Sequence, residues 1–224
     1  IERYLYRRAQ KIITLLPDAY QHIITKGATY EKIEWIPNGI DGDSLPDPVK
    51  PADNDIFTIT YAGSHGLANC LDSILDAALL LQDRDANRYR FRFIGAGLEK
   101  ERLILRCEQE SINNIKFEDW IPRNKVYREL SDADCLIVNL MESPLYKWGI
   151  SLNKLFDYMA SARPVVIGAN VKKNPIDEAR SGITVRPEDA RGMANAIETL
   201  TSMSIEERWQ MGLRGRRYVE EHHD

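Results

Sequence analysis

The sequence of 224 residues is poor in cysteine and carries no excess of basic charge. Its three cysteines, Cys70, Cys107 and Cys135, form no Cys-x-x-Cys pair and no cluster with histidine, which argues against a zinc site and a disulfide framework. We therefore expect free thiols and a reducing, cytoplasmic location. The 30 basic and 34 acidic residues give a net charge of −4. Proteins that bind nucleic acid along its phosphate backbone normally carry a basic excess, so this class is excluded.

Long apolar segments are absent as well. No run approaches the roughly 18 residues that a helix needs to cross a bilayer, so we predict no transmembrane helix. The sequence shows no signal peptide and opens at Ile1, without a methionine, in a charged segment. We expect that the chain is part of a longer protein. Because a typical domain has about 150 residues, the length predicts one complete domain and a portion of another.

Short apolar runs alternate with helix-length segments along almost the whole sequence. The predicted strands are 11–16, 32–36, 56–61, 89–94, 115–117, 135–139, 164–167 and 183–185. The clearest amphipathic helices are 67–82, 151–162 and 205–221. Strands and helices that alternate at this spacing favour right-handed βαβ units. We therefore predict an α/β fold with a doubly wound, Rossmann-like parallel sheet.

One segment interrupts the alternation. Residues 37–55 contain four of the ten prolines and five aspartates, and they show no apolar periodicity. This composition is typical of a linker. The preceding residues are too few to fold alone, whereas the following 170 or so can bury a core of their own. We predict that residues 1–48 are the end of another domain with the interdomain linker, and that 49–224 form a complete Rossmann-like domain.

Two glycine-rich turns follow successive predicted strands. Gly63 and Ser64 come after strand 56–61, and Gly95 comes after strand 89–94. Turns of this kind lie at the carboxyl edge of a parallel sheet, where backbone amides and a helix N-terminus can hold an anion. We predict a nucleotide crevice there. The alternative is a pair of tight turns without a ligand.

A third cluster lies on predicted helix 151–162, which Ser151 can cap. Asn153, Lys154 and Asp157 share one face of this helix because they are one and four residues apart. Lysine suits a phosphate oxygen, and a carboxylate accepts hydrogen bonds from a ribose diol. The alternative is an exposed Lys154–Asp157 ion pair with little effect on stability.

Four motifs occur in an order that resembles one family. They are IPNGID (36–41), YAG after the next strand, FIGAG after the strand that follows, and SLNKLFDYMASARPVV (151–166). From about residue 30 to the end, the sequence is similar to the donor-binding C-terminal half of family-4, group 1 retaining glycosyltransferases of the GT-B fold. Its helix motif resembles the branch that makes bacterial surface polysaccharides.

The resemblance implies roles for particular residues. Gly63 and Ser64 would lie against the donor diphosphate, and Lys154 would neutralise the leaving nucleoside diphosphate. Asp157 matches the second acid of the family's E-x7-E motif and would bind the ribose. The remaining implied donor-binding positions are the backbone of Gly149, Ile150 and Ser151, and the base-contacting segment Trp120-Ile121-Pro122-Arg123. No metal or other cofactor is expected.

The sequence also departs from the family pattern. Gly149 stands where the first acid of E-x7-E would fall, and Glu142 can replace that acid only if the intervening loop folds back. Many members carry an arginine and a lysine after the first glycine turn, whereas this sequence has His65 and Asn69. His65 can hydrogen-bond a phosphate, or it can be an exposed turn residue.

Three further features have simpler interpretations. The segments 41–43 and 132–134 match the D-x-D pattern of metal-dependent transferases, but neither has other hard ligands nearby. His222 and His223 are expected at a frayed chain end. The basic run 214–217 is expected on a solvated helix face. It can alternatively contact the rest of the protein, or anionic lipid at the inner face of the membrane.

We predict a transferase that moves a sugar from a nucleoside diphosphate, of the uridine type, to a saccharide or lipid-linked acceptor with retention of configuration. The resemblance implies front-face attack, in which the leaving phosphate helps to deprotonate the acceptor. The acceptor site would lie mostly in an absent N-terminal domain, so we expect this chain alone to be inactive. Two alternatives are a sugar-nucleotide epimerase and a non-catalytic nucleotide-binding module.

Overall fold

Eight strands form in the computed structural model, which describes residues 1–224, and each lies where the sequence predicts one. The strands are β1 (Ile12–Thr14), β2 (Ile33–Trp35), β3 (Phe57–Ala62), β4 (Tyr89–Ile94), β5 (Ile115–Glu118), β6 (Cys135–Asn139), β7 (Val165–Gly168) and β8 (Gly182–Val185). The helices are α1 (Glu2–Arg8), α2 (Tyr20–Thr25), α3 (Leu71–Arg84), α4 (Lys100–Gln109), α5 (Val126–Ser131), α6 (Asn153–Ala160), α7 (Pro175–Ala179), α8 (Ala190–Ser202) and α9 (Ile205–His222).

The last six strands form one parallel sheet in the order β5-β4-β3-β6-β7-β8. After β3, the strands β4 and β5 are added on one side of it. The chain then returns to the other side of β3, where β6, β7 and β8 follow in order. This confirms the predicted doubly wound, Rossmann-like sheet. The order reverses between β3 and β6, and a crevice forms at the carboxyl ends of the strands at such a point.

Helices cover both faces of the sheet. Every residue of the central strand β6 is buried, as parallel strands with two covered faces require. Cys135 and Ile137 pack into the core beneath α3 and α8, whereas Leu136 and Val138 pack into the core beneath α6. This alternation fixes the register of β6 in the sheet, because a shift of one residue would exchange the side chains on the two faces. No helix is both long enough and apolar enough to cross a bilayer.

The first 36 residues form a small unit of their own. Strands β1 and β2 pair in parallel, apart from the main sheet, and Ile12, Ile23 and Ala28 make a separate small core. The division of the chain at residue 48 stays a prediction.

The predicted linker, residues 37–55, contains no strand and only a short 3-10 turn, Gly42–Ser44. It is nevertheless held against the following domain. The buried guanidinium of Arg163 donates to the carbonyl of Val49 at 2.9 Å, and Arg216 donates to the carbonyl of Pro46 at 2.7 Å. With only 11% of its side chain exposed, Arg216 does not lie on a solvated helix face as predicted.

The end of the chain is likewise docked rather than frayed. His223 is 6% exposed, stacks on Phe156 with ring centroids 4.1 Å apart, and accepts the backbone N–H of Ile40 on its carbonyl oxygen. The prediction of a frayed end is therefore wrong for His223. Burial lowers the pKa of its imidazole.

Two predicted helix starts also need correction. The helix expected from residue 67 begins as a 3-10 turn, and α3 follows only after Cys70, whose φ of 42° breaks the helical path. Ser151 does not cap α6, because its hydroxyl accepts the backbone N–H of Asn38 at 2.9 Å. The N-cap position belongs instead to Leu152, which offers no side-chain hydrogen bond.

Candidate functional site

A cavity of about 530 Å³ opens at the carboxyl edge of the sheet, where the strand order reverses. Its walls come from the turns after β3 and β4, the loop after β5 and the first two turns of α6. The structure brings eight of the predicted site residues together in it: Gly63, Ser64, Gly95, Trp120, Ile121, Asn153, Lys154 and Asp157.

The two glycine turns lock together to form the floor of this cavity. Gly63 donates its backbone N–H to Ile94, and His65 donates its backbone N–H to Ala96, at 2.9 and 2.8 Å. Gly95 has a φ of 147°, and a Cβ on it would overlap the Gly63 carbonyl oxygen. Only glycine at position 95 therefore lets the two turns approach one another this closely.

Lys154 brings a positive charge to this floor. Its ammonium donates to the side-chain oxygen of Asn69 at 2.7 Å and to the hydroxyl of Tyr61 at 2.9 Å. No carboxylate pairs with it, and burial lowers its pKa to about 8. The predicted alternative, an exposed Lys154–Asp157 ion pair, is therefore wrong. A partly buried cation without a counter-ion makes this end of the cavity favourable for an anion.

Lys154 also contacts the residue at one departure from the family pattern. Asn69 stands where many members carry a lysine. In the folded chain the ammonium of Lys154 reaches the side chain of Asn69 from α6. A cation is thus present beside the glycine turn, although it is supplied by a different segment of the sequence.

Asp157, one turn further along α6, already has two partners. Arg123 donates to its Oδ2, and the Tyr127 hydroxyl donates to its Oδ1 at 3.1 Å. The carboxylate is largely buried, with 12% of the side chain exposed. Burial and the neighbouring carboxylate raise the pKa of Tyr127 to about 12, so its hydroxyl stays protonated and can donate. No sequence pattern indicates these partners, since they lie 34 and 30 residues away.

The loop after β5 forms the outer wall. Trp120 and Ile121 line the cavity, whereas Pro122 does not. Lys100 anchors this loop, because its ammonium donates to the carbonyls of Gly95 and Glu118 and pairs with Asp119 at 2.9 Å.

His65 lies beneath the cavity rather than in it. Its side chain is fully buried in an aromatic cluster with Tyr61, Phe93 and Phe117. Neither ring nitrogen has a hydrogen-bond partner. Burial, aided by the charges of Lys100 and Lys154, lowers the pKa of His65 to about 4. The expectation of an exposed turn histidine is wrong, and the ring does not line the predicted phosphate site.

Residues 149–151, shortly before α6, are also outside this cavity. Gly149 has a φ of 103° and packs against Pro17, Ile150 is buried in the core, and Ser151 is bonded to Asn38. Glu142 lines a different cavity of about 740 Å³ with Asn170, Arg186 and others. Glu142 is therefore not among the residues that line the 530 Å³ cavity.

No three acidic, histidine or cysteine side chains converge in a way that could hold a metal ion. The D-x-D segments serve other contacts. Asp134 accepts the backbone N–H of Thr58 at 2.8 Å, and Asp41 accepts the hydroxyl of Ser44.

A doubly wound parallel sheet with glycine turns and a lone cation at its switch point defines a Rossmann-like nucleotide-binding domain. The model of the family described as "Glycosyl transferases group 1" matches residues 56–203. The chain belongs to this family, and its sheet has the architecture of a GT-B glycosyltransferase domain. None of the curated proteins matches the sequence.

Several solved structures share the fold at low identity. S. aureus TarM, crystallised with Fondaparinux, alpha-GlcNAc-glycerol and UDP, is 18% identical with a TM-score of 0.78, over 100% of this chain and 43% of that protein. Anabaena HepE in complex with UDP and glucose is 14% identical with a TM-score of 0.74, over 98% and 61%. The C-terminal domain of Francisella tularensis LpcC is 20% identical with a TM-score of 0.63, over 82% and 98%. The chain thus spans about half the length of the full-length neighbours.

Proposed function

We propose that this chain is the donor-binding part of a retaining, family-4 glycosyltransferase that takes a sugar from a uridine diphosphate sugar. The acceptor is a saccharide or a lipid-linked saccharide of a bacterial surface polysaccharide, and the protein works in the cytoplasm or at the inner face of the membrane. One observation carries the proposal. The ammonium of Lys154 lies beside the glycine turn, at the edge of a nucleotide-sized cavity, and no carboxylate neutralises it.

In the proposed reaction, the acceptor oxygen attacks the anomeric carbon as the bond to the donor phosphate breaks. The electron pair of that bond leaves with the nucleoside diphosphate, and the acceptor proton passes to the leaving phosphate. Negative charge on the diphosphate therefore grows in the transition state. Lys154 is held by Asn69 and Tyr61 before the reaction begins, so it can stabilise this charge without rearranging.

The uridine assignment is supported by the neighbours. Both TarM and HepE were crystallised with UDP. In this chain, Trp120 and Ile121 line the cavity, and they belong to the segment that the resemblance expects to contact the base.

The epimerase alternative is less well supported. That chemistry needs acid–base carboxylates and a histidine around the sugar, but the cavity lining contains one acid, Asp157, and no histidine. His65, which follows Gly63 and Ser64 in the sequence, is fully buried and does not line the cavity.

Calorimetric titration of the chain with UDP and GDP tests the proposal. We expect UDP to bind more tightly than GDP. Lys154→Met should weaken UDP binding by about ten- to a hundredfold, the range for losing a hydrogen bond to a charged group. Lys172→Met is the matched control, because Lys172 is exposed and lies outside the 530 Å³ cavity. Equal affinities for Lys154→Met and Lys172→Met would contradict the proposal.

A second assay concerns activity. Incubation of the chain alone with radiolabelled UDP-glucose and saccharide acceptors should give no glycosylated product, because the proposed acceptor site lies in another domain. Sustained transfer by these 224 residues would refute that division of labour.

A further inference from the structure

The pairing of Asp157 conflicts with its proposed task. To hold the ribose of a nucleotide, this carboxylate must accept hydrogen bonds from two hydroxyls. Each of its oxygens already accepts one hydrogen bond, Oδ2 from the Arg123 guanidinium and Oδ1 from the Tyr127 hydroxyl. A ribose would have to share these oxygens with both partners or displace one of them.

Arg123 is the partner that can move. Its side chain is 61% exposed, against 12% for Asp157, and it projects from the short 3-10 turn Arg123–Lys125. It also lines a second cavity of about 760 Å³, which separates the 3-10 turn from the linker. The guanidinium can therefore change its position without any repacking of the core. Tyr127 belongs to α5, where it packs against the core beneath α6.

The charges in the donor cavity also call for a second cation. The diphosphate of a nucleotide sugar carries two negative charges, whereas Lys154 supplies one positive charge. Lys100 is committed elsewhere, since its ammonium holds two backbone carbonyls and Asp119. Lys154 and Asp157 are three residues apart on one helix face, so their Cβ atoms lie about 5–6 Å apart. The Arg123 guanidinium is bonded to Asp157, which lines the same cavity as Lys154.

We propose that Arg123 is a second donor-binding cation, which Asp157 holds at the edge of the cavity until the donor arrives. When a nucleoside diphosphate binds, the guanidinium moves to a phosphate oxygen, where its planar fork can donate two hydrogen bonds. Asp157 is then free to accept the ribose hydroxyls. The proposal rests on the proposed function and adds to it the residue that neutralises the second charge of the diphosphate.

Comparing UDP with uridine tests this role, because uridine has the base and the ribose but no phosphate. The affinities of both ligands for the 224-residue chain can be measured by NMR titration. We expect Arg123→Gln to weaken UDP binding at least tenfold. Uridine binding should stay equal or become tighter, because Arg123 no longer competes with the ribose for Asp157. Arg128→Gln is the control, because Arg128 is an exposed arginine of the neighbouring helix whose side chain makes no ion pair. The Arg128→Gln variant should bind UDP and uridine with the same affinities as the wild type.

Two other results would overturn the proposal. If Arg123 only blocks Asp157, Arg123→Gln will tighten UDP and uridine equally. If Arg123 only supports the loop, the substitution will weaken both ligands equally and will also lower the unfolding temperature without ligand. A wild-type chain that binds neither UDP nor uridine would contradict the proposed function itself. Failure of the nucleotide site is thus distinguishable from failure of the arginine's role.

Discussion

Replacing His65 by leucine should make the stability of this protein less sensitive to acid between pH 6.5 and pH 4. The imidazole is fully buried, and neither nitrogen has a partner that could stabilise a charge. Its pKa falls from 6.5 to about 4 because of burial and, to a smaller extent, the charges of Lys100 and Lys154. As the pH drops below 6.5, the unfolded chain gains a proton at this histidine and the folded chain does not. Folding stability is therefore lost progressively through this window.

The size of the effect follows from the two pKa values. A difference between 6.5 and about 4 corresponds to about 3 kcal/mol of unfolding free energy, fully lost only below pH 4. Above pH 6.5 the imidazole is neutral in both states and contributes no pH dependence. Leucine removes the titrating group at similar volume, and its packing cost is the same at every pH. The difference between the two pH profiles thus isolates the proton.

Urea denaturation followed by circular dichroism, repeated at half-unit steps from pH 4 to pH 8, measures this difference. The unfolding free energy of His65→Leu relative to wild type should rise by about 2–3 kcal/mol as the pH falls from 7 to 4. His222→Gln is the control, because His222 is an exposed histidine on the last turn of α9, and its profile should stay parallel to that of the wild type. Parallel profiles for wild type and His65→Leu would refute the assignment of a buried neutral imidazole.

Three further predictions concern other parts of the fold. UDP affinity should fall above pH 8, with a slope that approaches tenfold per pH unit, because the partly buried Lys154 loses its charge with a pKa of about 8. Calorimetry at pH 7–10 checks this, and an affinity that does not change with pH would contradict it. Gly95→Ala should cost at least about 2 kcal/mol in urea denaturation, because a Cβ overlaps the Gly63 carbonyl at a φ of 147°; an unchanged midpoint would show that the turns can separate. Ser204→Ala should cost about 1 kcal/mol, because Ser204 and Glu207 form a capping box at the start of α9; a loss near zero would mean that this cap does not hold in solution.

The fold was accessible from the sequence because it depends on local patterns. Strand β6 reads CLIVN, which is apolar except for its last residue, and it is buried on both faces. The glycine turns are accessible because Gly63 and Gly95 each come directly after a predicted strand. Lys154 and Asp157 were found because a helix places residues three apart on one face.

The partners of those residues were not accessible in the same way. Nothing near Asp157 in the sequence indicates Arg123, and nothing near Lys154 indicates Asn69, because both contacts join segments far apart in the chain. His65 shows the same limit. A histidine in a glycine-rich turn gives no local signal of burial, but here the contact between two turns buries it.

The sequence by itself therefore determined the element order, the parallel sheet and the edge at which the site forms, since periodicity and turn chemistry act over a few residues. The tertiary structure alone decided which charges are free. It left Lys154 without an ion-pair partner, gave Asp157 two partners and placed Gly149, Ile150 and Ser151 outside the 530 Å³ cavity. The physical reason is that ion pairing and burial depend on the distances between segments. These distances are set only when the two halves of the sheet join through the pairing of β3 with β6.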